Sequence, residues 1–260
     1  MNFKQISSRD NPRFKQLKRL SESARERRQT GKTLLDGVHL LQSYLTLHGE
    51  PEFLLLAQGE SSREVTDFIQ IHQDLPSLML PALMFAEISP VATPSGLMAL
   101  IDIPQIAPPV SAEFILLLED IQDPGNLGSI LRSALAAGVQ AVYLSTGCCD
   151  VWSPKALRGG QGAQLSLPVI ERADLRQVVS AFQGQVLATS MDGENLYQTD
   201  LRQPTAFVMG NEGAGVSADL LSHVARQVAI PMQSQVESLN VAAACAVCLF
   251  ERLRQTTISQ

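Results

Sequence analysis

The sequence predicts an α/β protein whose larger part is a parallel sheet covered by helices. Short apolar runs alternate with helical patterns after about residue 113, and a proline-rich stretch divides the chain near Pro108. Hydrophobic residues make up 45% of the chain and charged residues 18%, which is typical of globular proteins. Strands alternating with helices favour a parallel sheet with helices on both faces. With 260 residues the chain is long enough for two domains.

The part of the chain before the proline-rich stretch is predicted to be a small α/β module. Its expected elements are a basic helix at Arg9–Arg28, an amphipathic helix at Leu34–Leu47, a strand at Phe53–Ala57 and a helix at Arg63–Ile71. The stretch Ile101–Glu113 contains three prolines and little periodicity, which indicates a linker. We therefore divide the chain into residues 1–107 and 108–260.

The second domain is predicted to contain five strands that alternate with four helices. The strands are expected at Phe114–Leu118, Ala141–Ser145, Gln185–Ser190, Thr205–Gly210 and Gln227–Met232. The helices are expected at about Gly128–Ala137, Ala173–Phe182, Ser217–Ser222 and Ser238–Arg254. Ligands of open α/β sheets bind at the carboxyl ends of the strands, so the segments that follow these strands are the candidates for chemistry.

Charge is distributed unevenly along the chain. The formal net charge is −6, but the first 32 residues hold ten Lys and Arg against three acids, a local charge of +7. Such asymmetry is expected where one end of a protein meets phosphates, which would make RNA or DNA a partner. A solvated basic helix face without a partner explains the charge from Met1 to Lys32 equally well.

The four cysteines and the N-terminal segment indicate in which cellular compartment the protein is expected. No apolar run reaches the roughly 18 residues that a membrane span needs, and residues 1–10 are polar, unlike a signal peptide. We therefore expect a cytoplasmic protein with free thiols and no membrane partner. Cys245 and Cys248 form a C-x-x-C within an apolar helical stretch, which favours core packing over metal or redox chemistry. No metal site is expected.

The first candidate segment is LLLEDIQDPGNLGSILRSALAAG, residues 116–138. A strand runs into a turn at Asp123-Pro124-Gly125, and a helix begins near Asn126, which can cap it. Arg132 follows about one and a half turns later, from where its guanidinium could reach a phosphate or hydroxyl in front of the sheet. A capped helix that carries a surface arginine is the structural alternative that explains the same pattern.

Two further segments follow later strands. In FVMGNEGAGVS, residues 207–217, glycines after the strand allow the backbone to approach a ligand closely around Glu212. The pattern is not G-x-G-x-x-G, which disfavours a nicotinamide-dependent oxidoreductase. In AIPMQSQVESLNVAAACAVCLFE, residues 229–251, Ser238 is predicted to cap a helix whose first turn holds Asn240. Core packing explains the alanines of this helix.

Together the three segments resemble the three motifs of the SpoU (TrmH-like) family of RNA 2′-O-ribose methyltransferases, a branch of the SPOUT superfamily. The motifs are D-P-x-N-x-G-x-x-x-R-S-A, M-G-x-E-G-x-G and I-P-M followed by S-L-N-V-A, and the resemblance covers about residues 114–254. More loosely, the N-terminal part looks like the family's substrate-binding domain, through Asp36-Gly37 and Ser95-Gly96. The resemblance implies a ribosomal-protein-like α/β domain before a SPOUT catalytic domain.

The resemblance also implies a cofactor, an assembly and a set of site residues. Members of the family carry a C-terminal trefoil knot, bind S-adenosylmethionine (SAM) within it and act as homodimers whose active site is completed across the interface. Carried over by position, the catalytic residues are Asn126, Arg132, Glu212, Ser238 and Asn240. The corresponding cofactor-binding residues are Gly210, Ile230 and Leu239, with Ser190, Met209 and Met232. The stretch Arg158–Ala163 departs from the family's R-x-S-x-G-A loop at Gly160 and Gln161.

These motifs predict transfer of a methyl group from SAM to a ribose 2′-hydroxyl of structured RNA. An arginine is always protonated, so Arg132 is expected to hold a phosphate and stabilise developing alkoxide charge. Relatives with a separate N-terminal domain of this kind typically act on large-subunit rRNA, so the resemblance favours large-subunit rRNA over tRNA as the substrate. The alternatives are a tRNA 2′-O-methyltransferase, a base methyltransferase of the same superfamily, and a non-catalytic RNA-binding protein on the same fold.

Overall fold

The computed structural model describes residues 4–59, 61–91, 93–233 and 238–257. The strands are β1 (Lys4–Gln5), β2 (Lys32–Asp36), β3 (Phe53–Ala57), β4 (Ser77–Leu80), β5 (Leu97–Asp102), β6 (Phe114–Leu118), β7 (Ala141–Leu144), β8 (Val169–Ile170), β9 (Gln185–Asn195), β10 (Thr205–Met209) and β11 (Arg226–Ala229). The helices are α1 (Pro12–Glu22), α2 (Ala24–Thr30), α3 (Val38–His48), α4 (Arg63–Ile71), α5 (Ala82–Ile88), α6 (Pro124–Ala136), α7 (Pro154–Gly160), α8 (Leu175–Ala181), α9 (Ala218–Leu221) and α10 (Val241–Thr257).

The chain forms two compact units. The first contains the residues up to Pro104 together with Trp152–Leu165, and the second contains Gln105–Val151 together with the residues from Ser166 onward. The end of the first unit at Pro104 lies inside the predicted linker. The segment Trp152–Leu165, between β7 and β8, packs with the first unit, whereas the division at residue 108 assigned it to the second.

The first unit is a mixed five-stranded sheet with helices. Its strand order is β1-β4-β3-β5-β2, in which β5 is antiparallel to both β3 and β2. Apolar side chains from α1, α5 and the sheet form one core, including Phe14, Phe85, Leu55 and Met98. The expectation of a small α/β module is therefore confirmed, although β1, β2, β4, β5 and α5 were not predicted.

Two predicted helices of this unit were wrong in extent. The predicted helix Leu34–Leu47 begins as the strand β2, because Gly37 has a φ of 93°, a conformation that ends the strand before α3. The predicted basic helix Arg9–Arg28 is two helices. Ser23 has extended backbone, and its hydroxyl accepts a hydrogen bond from the Glu26 amide, so it ends α1 and caps α2.

The second unit contains a six-stranded sheet in the order β11-β9-β10-β6-β7-β8, with every pair parallel. The α/β fold with a parallel sheet is therefore confirmed. Leu175 and Val179 of α8 and Leu220 of α9 pack against Leu117 and Val208 of the central strands. The helices α6 and α10 pack against each other. Because all six strands run in one direction, the loops after β6, β9, β10 and β11 meet at one edge.

The predicted strands of this unit differ from the observed ones mainly at their ends. β6 has the predicted bounds, whereas β11 ends at Ala229 instead of Met232. Pro231 has no backbone N–H to donate to a neighbouring strand, which accounts for the earlier end. Cys245 and Cys248 are free and fully buried in α10, as expected for core residues. None of the helices in the described parts of the chain is long and apolar enough to cross a membrane.

Candidate active site

The first turn of α6 presents Asn126 to the site. Asp123 caps α6, because its Oδ1 accepts a hydrogen bond from the Asn126 amide at 2.9 Å, and Pro124 occupies the first helical position. The prediction that Asn126 caps this helix was therefore wrong. Since Asp123 performs that task, the Asn126 side chain is available to contact residues from other loops.

Three of the predicted catalytic residues form one hydrogen-bonded chain. The Nδ2 of Asn126 donates to Oε1 of Glu212 at 3.1 Å, and the Nδ2 of Asn240 donates to Oδ1 of Asn126 at 3.0 Å. Asn126 lies in the first turn of α6, Glu212 in the loop after β10 and Asn240 directly before α10, and these places meet at the carboxyl edge of the sheet. The structure therefore brings Asn126, Glu212 and Asn240 together, although they lie far apart in the sequence.

Asn240 also begins the last helix. Its Oδ1 accepts hydrogen bonds from the amides of Ala242 and Ala243 at 2.9 and 3.4 Å, so Asn240 is the cap of α10. Ser238 was predicted to be this cap, and that prediction was wrong because α10 starts at Val241, which places the cap two residues later, at Asn240. Capping fixes the Asn240 side chain, which leaves its Nδ2 pointing toward Asn126.

The carboxylate of Glu212 lies above the start of α6. It accepts hydrogen bonds from the amides of Gln122 and Asp123 at 3.3 and 3.4 Å, in addition to the Asn126 side chain. Partial burial raises the pKa of Glu212, but the hydrogen bonds from Asn126 and the backbone amides lower it more, so the pKa lies below its ordinary value. Glu212 is therefore an anion at neutral pH.

Arg132 and Ser238 are not part of this chain. Arg132 is exposed on α6, and its guanidinium makes no hydrogen bond or ion pair with any residue that the structure describes. Ser238 is exposed and lies at the wall of a neighbouring cavity, which Glu212 also lines. The charge of Arg132 is thus available to a ligand, and its catalytic role stays a prediction.

The cavity of about 320 Å³ lies where residues 189–191 of β9 and the loops after β10 and β11 meet the start of α10. All six residues predicted to bind the cofactor line it, and they are Ser190, Met209, Gly210, Ile230, Met232 and Leu239. Its walls are mostly apolar side chains and backbone groups. One polar atom stands out, because Oγ of Ser190 is buried and has no hydrogen-bond partner within the described part of the chain.

Gly210 allows the loop after β10 to fold back on itself. A Cβ atom at this position would lie 2.1 Å from the carbonyl carbon of Gly215, so only glycine fits. Asn211 and Gly215 exchange two backbone hydrogen bonds at 3.0 and 2.9 Å, which closes the turn. We call residues 210–217 the glycine loop. It carries Gly210 on the cavity side and Glu212 on the side of Asn126.

Sequence patterns missed the residues that hold the glycine loop in place. Glu119, directly after β6, accepts hydrogen bonds from both the amide and the hydroxyl of Ser217, each at 2.7 Å. Asp120 accepts a hydrogen bond through its carbonyl from Nδ2 of Asn211 at 2.8 Å. Two acids after an apolar strand are the signal that could have indicated them, because carboxylates there face the loops at the sheet edge.

The segment Arg158–Ala163 lies in the first unit. Arg158 forms an ion pair with Asp36 at 3.4 Å, and the Ser95 hydroxyl donates to the other oxygen of Asp36 at 3.2 Å. The Asp36 side chain is only 2% exposed, and this burial raises its pKa despite the two partners. Gln161 has a left-handed φ of 48° and ends α7, so the departure from the family pattern falls at a helix end.

The basic charges of the N-terminal region are largely paired within the first unit. The ion pairs are Arg9 with Glu87, Lys15 with Asp10, Lys18 with Glu87, Arg19 with Glu26, and Lys32 with Glu52 and Asp102. Exposed pairs of this kind contribute about 0 to 1 kcal/mol and can exchange partners. A phosphate could therefore replace the acid partners at little cost.

No group of three or more His, Cys, Asp or Glu side chains within the described ranges could hold a metal ion. The site is built instead from the amides of Asn126 and Asn240 and the carboxylate of Glu212, beside a mostly apolar cavity. Such an arrangement can hold an organic ligand in the cavity and orient a polar group beside Asn126 and Glu212.

Comparisons with known proteins agree with this geometry. Residues 113–250 match the SpoU rRNA Methylase family, and residues 11–99 match the MRM3-like substrate binding domain. An uncharacterized tRNA/rRNA methyltransferase of Synechocystis is 38% identical over 96% of this chain and 93% of that protein. The Bacillus subtilis 23S rRNA (guanosine(2553)-2′-O)-methyltransferase RlmP is 34% identical, over 95% of this chain and 98% of that protein.

A solved structure extends the similarity to the fold. The SpoU methyltransferase AviRb from Streptomyces viridochromogenes, in complex with the cofactor AdoMet, has a TM-score of 0.81 and 26% identity. The match covers 96% of this chain and all of that one. The family model covers more than half of the chain, and the relatives match it over nearly its whole length. This chain therefore belongs to the SpoU rRNA methylase family.

Proposed function

We propose that the protein transfers a methyl group from SAM to a ribose 2′-hydroxyl of large-subunit rRNA. The observation that carries the proposal is the hydrogen-bonded chain of Asn240, Asn126 and Glu212 beside a cavity with apolar walls. Such a chain fixes polar groups where a hydroxyl could be held against a ligand in the cavity. Membership of the family and the AdoMet complex of AviRb support the same activity.

The cavity residues fit SAM as the methyl donor. Met209, Ile230 and Leu239 offer apolar walls, and the glycine loop offers backbone amides and carbonyls. The unpaired buried hydroxyl of Ser190 has a partner if a polar group enters the cavity. When bound, SAM supplies an electrophilic methyl group on its sulfonium centre.

The chain's own residues would orient and stabilise the acceptor. Asn126 and Asn240 position polar groups through the hydrogen-bonded chain, and the Glu212 carboxylate fixes the Asn126 amide. Arg132 is the exposed cation on the same helix as Asn126, and it carries no ion pair among the described residues. It would hold a phosphate next to the target ribose and stabilise negative charge that develops on the 2′-oxygen.

Ribosomal RNA is the favoured substrate because both parts of the chain match proteins that act on it. The match to RlmP of B. subtilis, an enzyme named for 23S rRNA, extends over 95% of this chain and therefore includes the N-terminal part. We propose residues 1–107 as the RNA-binding domain and 108–260 as the methyltransferase domain. An rRNA substrate is also consistent with the cytoplasmic location that we propose.

The homodimer and the trefoil knot implied by the family are part of this proposal. Leu135 on α6 is 41% exposed and Phe250 on α10 is 45% exposed, and these two helices pack together. Large apolar side chains exposed on adjacent helices are typical of a surface that another subunit covers. A second copy of this chain is the occupant that we propose for it.

The test is methyl transfer from radiolabelled SAM to purified RNA. Large-subunit rRNA, small-subunit rRNA and tRNA from a strain that lacks the gene serve as separate substrates, and the modified nucleotide is mapped by ribose-methylation sequencing. We expect labelling of large-subunit rRNA at one ribose. Labelling of tRNA alone would support the tRNA alternative, whereas tight RNA binding without labelling of any RNA would support a non-catalytic RNA-binding protein.

A further inference from the structure

Asp120 has a backbone conformation that is unusual for its residue type. Its φ is 55°, in the left-handed region, and it shares this property with only Gln161 and Arg172 among the described residues other than glycine. Asp120 follows β6 and is exposed, so the conformation is not imposed by packing in the core. Aspartate tolerates the left-handed region better than most residues, provided that its side chain finds local partners.

The Asp120 side chain has such a partner in Ser145, which directly follows β7. The Ser145 hydroxyl donates to Oδ1 of Asp120 at 2.6 Å, and the Asp120 amide donates back to the same hydroxyl at 3.0 Å. Gly147 leaves room for this carboxylate, because a Cβ there would lie 2.1 Å from Oδ1 of Asp120. The end of β7 therefore holds Asp120 in its left-handed conformation.

The left-handed turn directs backbone groups toward the glycine loop. The Asp120 carbonyl accepts from Nδ2 of Asn211 at 2.8 Å, and the amides two and three residues later donate to the Glu212 carboxylate. Oδ1 of Asn211 in turn accepts from the amides of Gly213 and Ala214 at 2.9 and 3.0 Å. The turn after β6 thus holds both Asn211, which shapes the glycine loop, and the carboxylate of Glu212, which lies beside Asn126.

The preceding residue holds the other end of the same loop, since Glu119 binds the amide and hydroxyl of Ser217. Glu119 and Asp120 are the two residues that directly follow β6, and together they fix both ends of the glycine loop. We call this pair the acidic clamp. Ser217 also caps α9, because its hydroxyl accepts a hydrogen bond from the Leu220 amide. The contact of Glu119 therefore fixes the start of that helix together with the loop that carries Gly210 and Glu212.

We propose that Asp120 is a positioning residue for the methyl transfer, acting through its left-handed backbone on the glycine loop. This inference rests on the proposed methyltransferase function. A loop displaced by a fraction of an ångström would misplace Gly210 at the cavity and Glu212 at Asn126 together. Misalignment of reacting groups lowers the reaction rate more than the binding affinity, so we expect the effect in the single-turnover rate of methyl transfer.

The experiment compares three substitutions in the full chain. Asp120→Asn keeps a side-chain acceptor and tolerates the left-handed region, Asp120→Gly keeps the backbone conformation alone, and Asp120→Ala keeps neither. We expect single-turnover rates at saturating SAM and rRNA within about threefold of wild type for the first two. For Asp120→Ala we expect a loss of about tenfold to a hundredfold. Arg172→Ala, which removes another exposed left-handed residue, is the matched control and should keep the wild-type rate.

Hydrogen–deuterium exchange of peptides that cover residues 210–217 gives a readout independent of activity. Exchange should rise in Asp120→Ala but not in Asp120→Gly. A full rate in Asp120→Ala, or equal losses in the glycine and alanine variants, would overturn the inference. A wild-type protein that methylates no RNA would instead refute the proposed function, and the exchange data would still show whether Asp120 holds the loop.

Discussion

Asn240 and Asn126 join the last helix of the chain to the first helix of the second unit through a 3.0 Å hydrogen bond between Nδ2 and Oδ1. Each amide uses both its nitrogen and its oxygen here, because Asn240 also caps α10 and Asn126 also donates to Glu212, and each Nδ2 keeps a second N–H for another partner. The orientation of Asn126 is thus fixed from both sides. A side chain held in this way loses little freedom when a substrate hydroxyl binds next to it.

The first prediction concerns Asn126→Asp, which is nearly isosteric but removes the amide donor to Glu212 and adds a second negative charge. We expect the single-turnover rate of methyl transfer to fall by about 10²- to 10³-fold, the usual cost of losing one preorganised donor. Asn195→Asp is the matched control, because Asn195 caps a short turn through an oxygen that aspartate retains. A rate for Asn126→Asp equal to that of the control would show that the chain of amides has no catalytic role.

Gly210 provides a second prediction, on the cofactor cavity. Gly210→Ala places a methyl group against the backbone of Gly215, so the glycine loop must open and SAM affinity should fall by about tenfold or more. Gly213→Ala is the control in the same loop, because its nearest neighbour would be 3.6 Å away. Calorimetric titration with SAM measures both. Equal affinities in the two variants would contradict the placement of the cofactor against Gly210.

The ionisation of Glu212 gives a prediction for pH. Its pKa in the folded protein lies below the ordinary value of 4.5. The ionised carboxylate therefore stabilises the fold fully above pH 4.5, and this stabilisation is lost as the pH falls through the pKa of the folded state. The difference in Tm between wild type and Glu212→Gln should therefore be constant from pH 6 to 8 and shrink below about pH 4.5. Thermal unfolding at a series of pH values measures it, and a difference that grows in acid would contradict the lowered pKa.

Much of the second unit was predictable from the sequence. Five apolar runs that alternate with helical patterns correspond to β6, β7, β9, β10 and β11. The signal is strongest for the central strands β6 and β10, because strands buried on both faces are nearly continuous apolar segments. In the first unit the same approach failed at Leu34. There a short apolar strand is followed within two residues by an apolar helix, and only the left-handed φ of Gly37 separates them.

The motifs indicated which residues belong to the site, but not how they hold one another. The observed caps, Asp123 for α6 and Asn240 for α10, differ from the predicted ones. Several polar residues near the start of each helix could act as its cap, and the sequence does not distinguish them. The acidic clamp went unpredicted for a different reason. Glu119 and Asp120 contact residues 98 and 91 positions later in the chain, so two acids after an apolar strand indicate a place near the loops but not the residues that they bind.

Asp36 and Arg158 give a prediction about stability. Arg158→Ala leaves an almost fully buried carboxylate without its cation, and because the Arg158 side chain is itself 55% exposed, the loss should be roughly 1 to 2 kcal/mol. Adding Asp36→Asn should recover part of this loss, because a neutral amide has a smaller desolvation cost. Chemical denaturation of both single variants and the double variant measures the coupling. The exposed pair of Arg63 and Asp67 is the control, and Arg63→Ala should change stability by less than about 0.5 kcal/mol.

Arg132 gives the sharpest prediction on mechanism. Its side chain is exposed on α6, the helix that also carries Asn126, and it has no partner among the residues that the structure describes. If it contacts the target phosphate and stabilises the developing alkoxide, Arg132→Ala removes an interaction made mostly in the transition state. The expected loss is roughly 3 to 4 kcal/mol, or about 10²- to 10³-fold in kcat. SAM affinity and Tm should change little, since the cavity is built by other loops and no described ion pair is lost.

Arg132→Lys should restore only part of the rate, because an ammonium group lacks the planar fork that binds a phosphate in two places. Arg202→Ala, in an exposed ion pair with Asp200, is the control for removing a positive charge from the same unit. The assay is single-turnover methyl transfer to purified rRNA, with SAM binding measured in parallel by calorimetry. Full activity in Arg132→Ala would show that Arg132 has no catalytic role and is only a surface arginine on a capped helix.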